Sequence, residues 1–443
     1  MAAIDLLAGS QTISVNPILK ENDRIKEEYL YCIKKYVKTA KWQRRKYVKA
    51  ALKIYDMILK GEAPAGEKRE FYDDIKKYQY ILIFDMAAIA GFQKPVLESK
   101  NMRRVLYSME KDFGWGKTEK NLCGKILQGI GGDETAWDFV KDAAELREFK
   151  DYLKLTDENL RFIREKAYNI LVTATMSAGK STFINALTGK NISLSQNMAC
   201  TSKIHVIQGK PFEDGFSCEY DHELLLNADK EHLMEDNEDN DSNNIIVSTY
   251  YRGELGGKRI VIKDSPGVNF SRNENHRKIT EQIIRRKKYR LMVYLMNATQ
   301  MGTEDDGEHL RYVKKYIGRK PILFIVNKVD AFHIEEENIE EIMERQREYL
   351  QTLGFKDPKI CPVSSKAGYL AKKSQVEPLK RVERRELNCF IDYFEQMNLP
   401  EYYKKYFPGI FIETGDTEEE QLLKNSGISY VEKIIKYYYE GGK

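Results

Sequence analysis

Nine consecutive residues, ATMSAGKST from Ala174 to Thr182, set a glycine, a lysine and hydroxyls at a spacing that can hold phosphate. The pattern GxxxxGK[ST] requires a strand before it and a helix after it, and the flanks NILVTA and TFINALTG fit both. In such a loop consecutive backbone N–H groups wrap a β-phosphate, and the helix N-terminus adds partial positive charge. Gly179 lets the backbone approach closely, Lys180 reaches the β- and γ-phosphates, and the Ser181 hydroxyl ligates Mg2+. Ala174 stands where the pattern has its first glycine. That position eases the turn out of the strand, so one methyl costs little there unless φ is positive. The expected nucleotide-lining set is Ala174, Met176, Ser177, Ala178, Gly179, Lys180, Ser181 and Thr182.

Further motifs follow in a fixed order. In DSPG (264–267), at a strand end, Asp264 reaches Mg2+ through water and the Gly267 N–H meets a γ-phosphate. In NKVD (327–330), Asp330 can accept two hydrogen bonds from guanine N1 and N2, a donor pair that adenine lacks. Asn327 braces that loop, and the Lys328 stem can lie along the base. SSK (364–366) follows the next strand, with Ser365 and Lys366 in a loop whose N–H can meet guanine O6. Thr201, in MACTSKI, lies where a switch threonine would complete the Mg2+ shell. The expected cofactors are therefore GTP or GDP with Mg2+. The expected metal ligands are Ser181, Thr201 and Asp264, and Lys180, Thr201 and Gly267 are the expected catalytic groups. The residue after DSPG is Val268, which cannot orient water as the glutamine of many small GTPases does. Water must then be positioned by backbone, an ion, a partner chain or another residue, or hydrolysis is slow.

The elements that hold these motifs alternate. Short apolar runs, at 169–174, 259–264, 290–296, 321–327 and 359–364, interleave with helical patterns. That alternation predicts an α/β domain, a P-loop GTPase fold with a mostly parallel sheet and flanking helices, over 168–443. Residues 1–167 read as an all-helical region, a bundle or stalk, with apolar residues at helical spacing from Ile25 to Ile58. The Asn-rich acidic stretch 227–244 reads as a surface loop, and 371–425 as an insertion carrying a charged helix. The terminal segment is a packed amphipathic helix.

Composition narrows the partners. The chain has 443 residues, 72 basic and 68 acidic, for a net charge of +4. That balance argues against a specific nucleic-acid partner. Six scattered cysteines without a CxxC pair fit a reduced, cytoplasmic protein. No apolar run is long enough to span a bilayer. The basic segment Lys34–Lys53 has three readings: a solvated helix face, a contact to an anionic membrane surface, or a partner helix.

TMSAGKSTFINALTG, NMACTSKI, DSPGVN, YLMNATQMGTEDD and NKVD together resemble the GTPase domain of bacterial dynamin-like proteins. The resemblance covers about 168–440, including the closing NSGISYVEKIIKYY. It implies nucleotide-dependent pairing of one G domain with another, which stimulates hydrolysis. It also implies that Ser177 helps to position a monovalent cation, K+ or Na+, as a further catalytic group. Met176 stands where many dynamins have glutamine, so that carry-over is partial. Membrane remodelling, a peripheral membrane location and a second dynamin-like protein as partner are implied as well. Almost nothing follows Tyr438, so either the chain is a piece of a longer one or the protein lacks the usual membrane arm. The expected function is a Mg2+-dependent GTPase with gated self-association. The competing expectation is a slow GTP switch whose helical region binds a protein partner.

Overall fold

The computed structural model describes residues 12–60, 73–92, 94–175, 177–193, 204–220, 224–225, 227–228, 244–266, 274–300, 302–333, 338–413 and 415–442. Contacts divide the chain into two compact units. One is Met1–Glu165 with Pro211–Asn227, and the other is Lys166–Lys210 with Ala228–Lys443. Residues 211–227, expected within the α/β domain, group with the helices.

The helical unit is built round Gln79–Ile89, whose 11 residues are all buried. A helix apolar on every side can only sit inside others. Asp23–Thr39, Lys46–Leu59 and Lys117–Ile130 pack against it. The first two are separated where Lys41 takes a φ of 57° and the Trp42 N–H reaches back to the Val37 carbonyl at 3.1 Å. This is a left-handed helix stop, with a lysine in the usual glycine position and a buried tryptophan locking it. Part of the basic segment is used internally: Lys34 pairs with Asp56, and Lys35 donates to Asp112 at 2.7 Å.

Asp85 lies within the central helix and is fully buried. It accepts from the Tyr29 hydroxyl and twice from Asn16 Nδ2, at 2.9 and 3.1 Å. Burial outweighs those bonds and pushes its carboxyl up to about 6. The excursion 211–227 is tied to this unit by Ser14, whose hydroxyl donates to Asp214 at 2.6 Å. Within it Cys218–Tyr220 (β3) and Leu224–Leu225 (β4) form a short antiparallel hairpin.

The other unit supplies β1 (Tyr168–Ala174), β2 (Ile204–Gly209), β5 (Asn244–Thr249), β6 (Ile260–Asp264), β7 (Leu291–Asn297), β8 (Ile322–Asn327) and β9 (Lys359–Val363). They lie in the order β5-β2-β6-β1-β7-β8-β9. β6, β1, β7, β8 and β9 run parallel, while β2 opposes β6 and carries β5 parallel to itself. The five parallel strands are the five apolar runs read from the sequence. β2 and β5 are additional. In β2 the polar His205 and Gln208 interrupt the apolar run, so it has no continuous signal.

Register places the strand ends in one row. Val172 pairs with Asp264, Ala174 with Leu295, and Asn327 with both Asn297 and Val363. The stretch read as an insertion carries the helices Arg381–Gln396, Leu399–Tyr406 and Glu418–Asn425. The last helix, Ile428–Tyr439, buries one face through Val431, Ile434 and Ile435. Residues 229–243 of the acidic stretch lie outside the described residues. Among the described residues no helix is long and apolar enough to cross a membrane.

Candidate nucleotide site

In open α/β sheets ligands bind beyond the carboxyl ends of parallel strands, and the row of strand ends is where the motifs meet. Ala174 is the last residue of β1, buried and paired with Leu295. It is absent from the positive-φ positions, so its methyl sits on ordinary extended backbone. Gly179 has a φ of 81° and opens the helix Lys180–Thr188. A side chain there would run into the Asn327 amide, so both conformation and space demand glycine. Ser177 adopts a φ of 63°, a left-handed turn costing a non-glycine residue roughly 1–2 kcal/mol. Ser181 and Thr182 fall in the first turn of the helix. Met176 lies outside the described residues, as do Thr201, Gly267 and Val268.

Asn327 is the hub of the site. Its Nδ2 donates to the Ala178 carbonyl at 2.8 Å, and its Oδ1 accepts from the Ser365 N–H at 3.0 Å. Ser365 and Lys366, expected in a loop, instead open the helix Ser365–Ser374, so one amide ties the phosphate loop to the first turn of that helix. Lys328 follows with a φ of 68°, its stem beside Gly179. Asp330 lies in the 3-10 turn Val329–Ala331, partly exposed, and its carboxylate makes no hydrogen bond or ion pair with any described residue. The Ser365 hydroxyl is buried without a hydrogen-bond partner among the described residues. Lys366 donates to Glu386 at 2.7 Å.

Lys180 forms an ion pair with Asp264 at the end of β6. The Ser193 hydroxyl donates to the other oxygen of Asp264 at 3.4 Å. The donor set offered to a metal, the Ser181 hydroxyl and the Asp264 carboxylate, is hard oxygen, which suits Mg2+. Among the described residues no cluster of three or more His, Cys, Asp or Glu competes as a metal site.

The sequence reading missed two braces. Asn297, at the end of β7, donates to the Ser177 carbonyl at 3.4 Å and accepts from the Thr299 N–H at 3.1 Å. The run NATQ marked it, but only through the family resemblance. Below the site, the Ser265 hydroxyl donates to Thr173 at 3.2 Å, and Thr173 Oγ1 lies 3.1 Å from His309 Nε2. Burial pushes that imidazole down to about 3, so it serves as a neutral hydrogen-bonding group beneath DSPG.

A phosphate loop opening a helix after β1, an aspartate at the end of β6 and an asparagine-braced loop after β8 define a P-loop GTPase domain. Residues 170–329 match the dynamin family model. A bacterial dynamin-like protein of Nostoc punctiforme is 24% identical over 292 residues, covering 61% of this chain and 41% of that protein. The chain thus spans about two fifths of the length of that curated relative. Among solved structures, a bacterial dynamin from an oligomerised pair described in long-range sensing and tethering of membranes aligns at 16% identity. That match covers 88% of this chain and 66% of the other, with a TM-score of 0.37. Era from Aquifex aeolicus, bound to GDP and aluminium fluoride, aligns at 16% identity, covering 45% of this chain and 52% of the other, with a TM-score of 0.28.

Proposed function

We propose that this chain binds GTP with Mg2+, hydrolyses it, and associates with a second copy of itself in a nucleotide-dependent way. The observation that carries the reading is the double bridge of Asn327 to Ala178 and Ser365, which sets the base loops and the phosphate loop in one frame. Asp330, free of protein partners among the described residues, is open to guanine N1 and N2. The loop N–H groups and Lys180 take the phosphates, and Lys180 leaves Asp264 to do so. Asp264, released, would join Ser181 and Thr201 in holding Mg2+. The metal, when bound, neutralises charge on the β- and γ-phosphates. The chain's own share is placement: the Gly267 N–H and Lys180 aim at the oxygens that gain charge as the γ-phosphorus is attacked by water.

Val268 supplies no water-orienting side chain, so Ser177 would take that role by helping to hold a monovalent cation once a second G domain seals the site. The same residue favours the competing reading, a slow switch whose helical unit binds a protein partner. GTP turnover measured against protein concentration separates the two, with and without Mg2+, K+ and anionic liposomes. Specific activity rising with concentration supports the self-associating enzyme. A flat, slow rate supports the switch, and turnover undiminished by chelating Mg2+ overturns the metal assignment. Liposome stimulation would place the work at a membrane surface, alone or with a second dynamin-like protein; its absence would place it in the cytoplasm.

A further inference from the structure

The helix Arg381–Gln396 belongs to no nucleotide motif, yet it reaches both the turn after β8 and the start of the helix Ser365–Ser374. The Tyr393 hydroxyl lies 2.8 Å from the Val329 carbonyl and 2.9 Å from the Phe332 carbonyl, sharing its proton between them. Those two carbonyls bracket Asp330. Seven residues earlier, Glu386 accepts from Lys366. The helix is itself anchored, with Leu387 and Phe394 buried and the Phe394 ring edge-on to Tyr393 at 5.1 Å.

The Asp330 side chain makes no hydrogen bond or ion pair among the described residues, so its direction is set by the turn that carries it. That turn starts from Lys328 in a left-handed conformation and closes through a Phe332 N–H bond to Val329 at 3.2 Å. Such a short turn has few bonds of its own. Tyr393 adds the only bond to it that the described residues bring from another helix.

We propose that Tyr393 is a positioning residue for guanine recognition: by holding the Val329 and Phe332 carbonyls it aims the Asp330 carboxylate at the exocyclic N2 of the base. The inference rests on the guanine reading of Asp330. Its signature is selective. Guanine offers Asp330 two donors, whereas hypoxanthine lacks the 2-amino group and offers one. A misdirected carboxylate therefore loses more with guanine.

The test compares GDP and inosine diphosphate as competitors of a fluorescent guanine nucleotide, on the full chain. Tyr393→Phe removes one oxygen and should weaken GDP about five- to tenfold, with inosine diphosphate weakened about twofold. Glu386→Gln, on the same helix but beside the Ser365–Ser374 helix start, breaks an exposed ion pair and should weaken both alike by less than about threefold. Hydrogen exchange of the 329–332 amides should rise in Tyr393→Phe alone, which is read without nucleotide. An unchanged GDP-to-inosine-diphosphate ratio in folded Tyr393→Phe, beside an Asp330→Asn variant that prefers xanthine, overturns the role of Tyr393. Retained guanine preference in Asp330→Asn instead overturns the base assignment beneath it.

Discussion

Lys180 and Asp264, 84 positions apart, are each other's counter-charge at the end of β6, with side chains only 14% and 8% exposed. The ammonium is thus already compensated within the protein. On the function proposed above, nucleotide entry would exchange one anion for another around this ammonium and free the carboxylate for Mg2+. The pair leaves neither charge buried without a partner.

Removing the lysine should end nucleotide binding. Lys180→Ala loses charge-assisted bonds to two phosphates, so affinity for GTP should fall at least about a hundredfold. Titration with a fluorescent nucleotide reads this directly, and retained tight binding would sink the phosphate assignment.

Base choice should follow Asp330. In Asp330→Asn one acceptor becomes a donor, which opposes the guanine 2-amino group and suits the xanthine 2-oxygen. GTP should weaken at least about tenfold, roughly 1.4 kcal/mol, while xanthosine triphosphate gains. Competition between the two triphosphates measures the reversal.

A second ion pair lies deeper. Lys372 and Glu432 are 2% and 1% exposed, and Lys372 Nζ also donates to the Leu187 carbonyl at 3.2 Å and the Arg252 carbonyl at 2.7 Å. Leu187 is in the last turn of the phosphate-loop helix, so the pair ties that helix to the terminal helix. Lys372→Met leaves Glu432 buried without a cation and should cost about 3–5 kcal/mol. The double variant Lys372→Met with Glu432→Leu should recover most of it. Urea unfolding of all three chains checks the recovery.

The helical unit should carry a pH dependence of its own. The folded Asp85 carboxyl is raised to about 6 from 3.8, so its neutral form is favoured by folding. Its contribution is complete below the unfolded value and is lost as pH rises through the folded one. Between pH 5 and 7.5 the loss is about 1 kcal/mol. Asp85→Asn cannot titrate, so its stability relative to the unsubstituted chain should rise by that amount over the same interval. Parallel slopes in urea melts of the two proteins would remove Asp85 as the cause.

What the sequence alone determined is local. Ala174 to Thr182, Asp264, and Asn327 to Asp330 each owe their chemistry to spacing within a few residues, and each strand carrying them is a continuous apolar run. The parallel half of the sheet followed for the same reason. Tertiary structure decided the pairings across distance: Lys180 with Asp264, Lys372 with Glu432 60 residues on, and Tyr393 with a turn 64 residues away. Asp85 reads in sequence as one polar residue in an apolar helix, and only folding brings Asn16 and Tyr29 to it. The break at Lys41 carries no sequence signal, because lysine is a rare residue at a left-handed helix stop. Side-chain partners are chosen by packing, which brings together groups that no window along the chain contains. The motifs therefore declare the nucleotide, and the packing decides what holds the loops that read it.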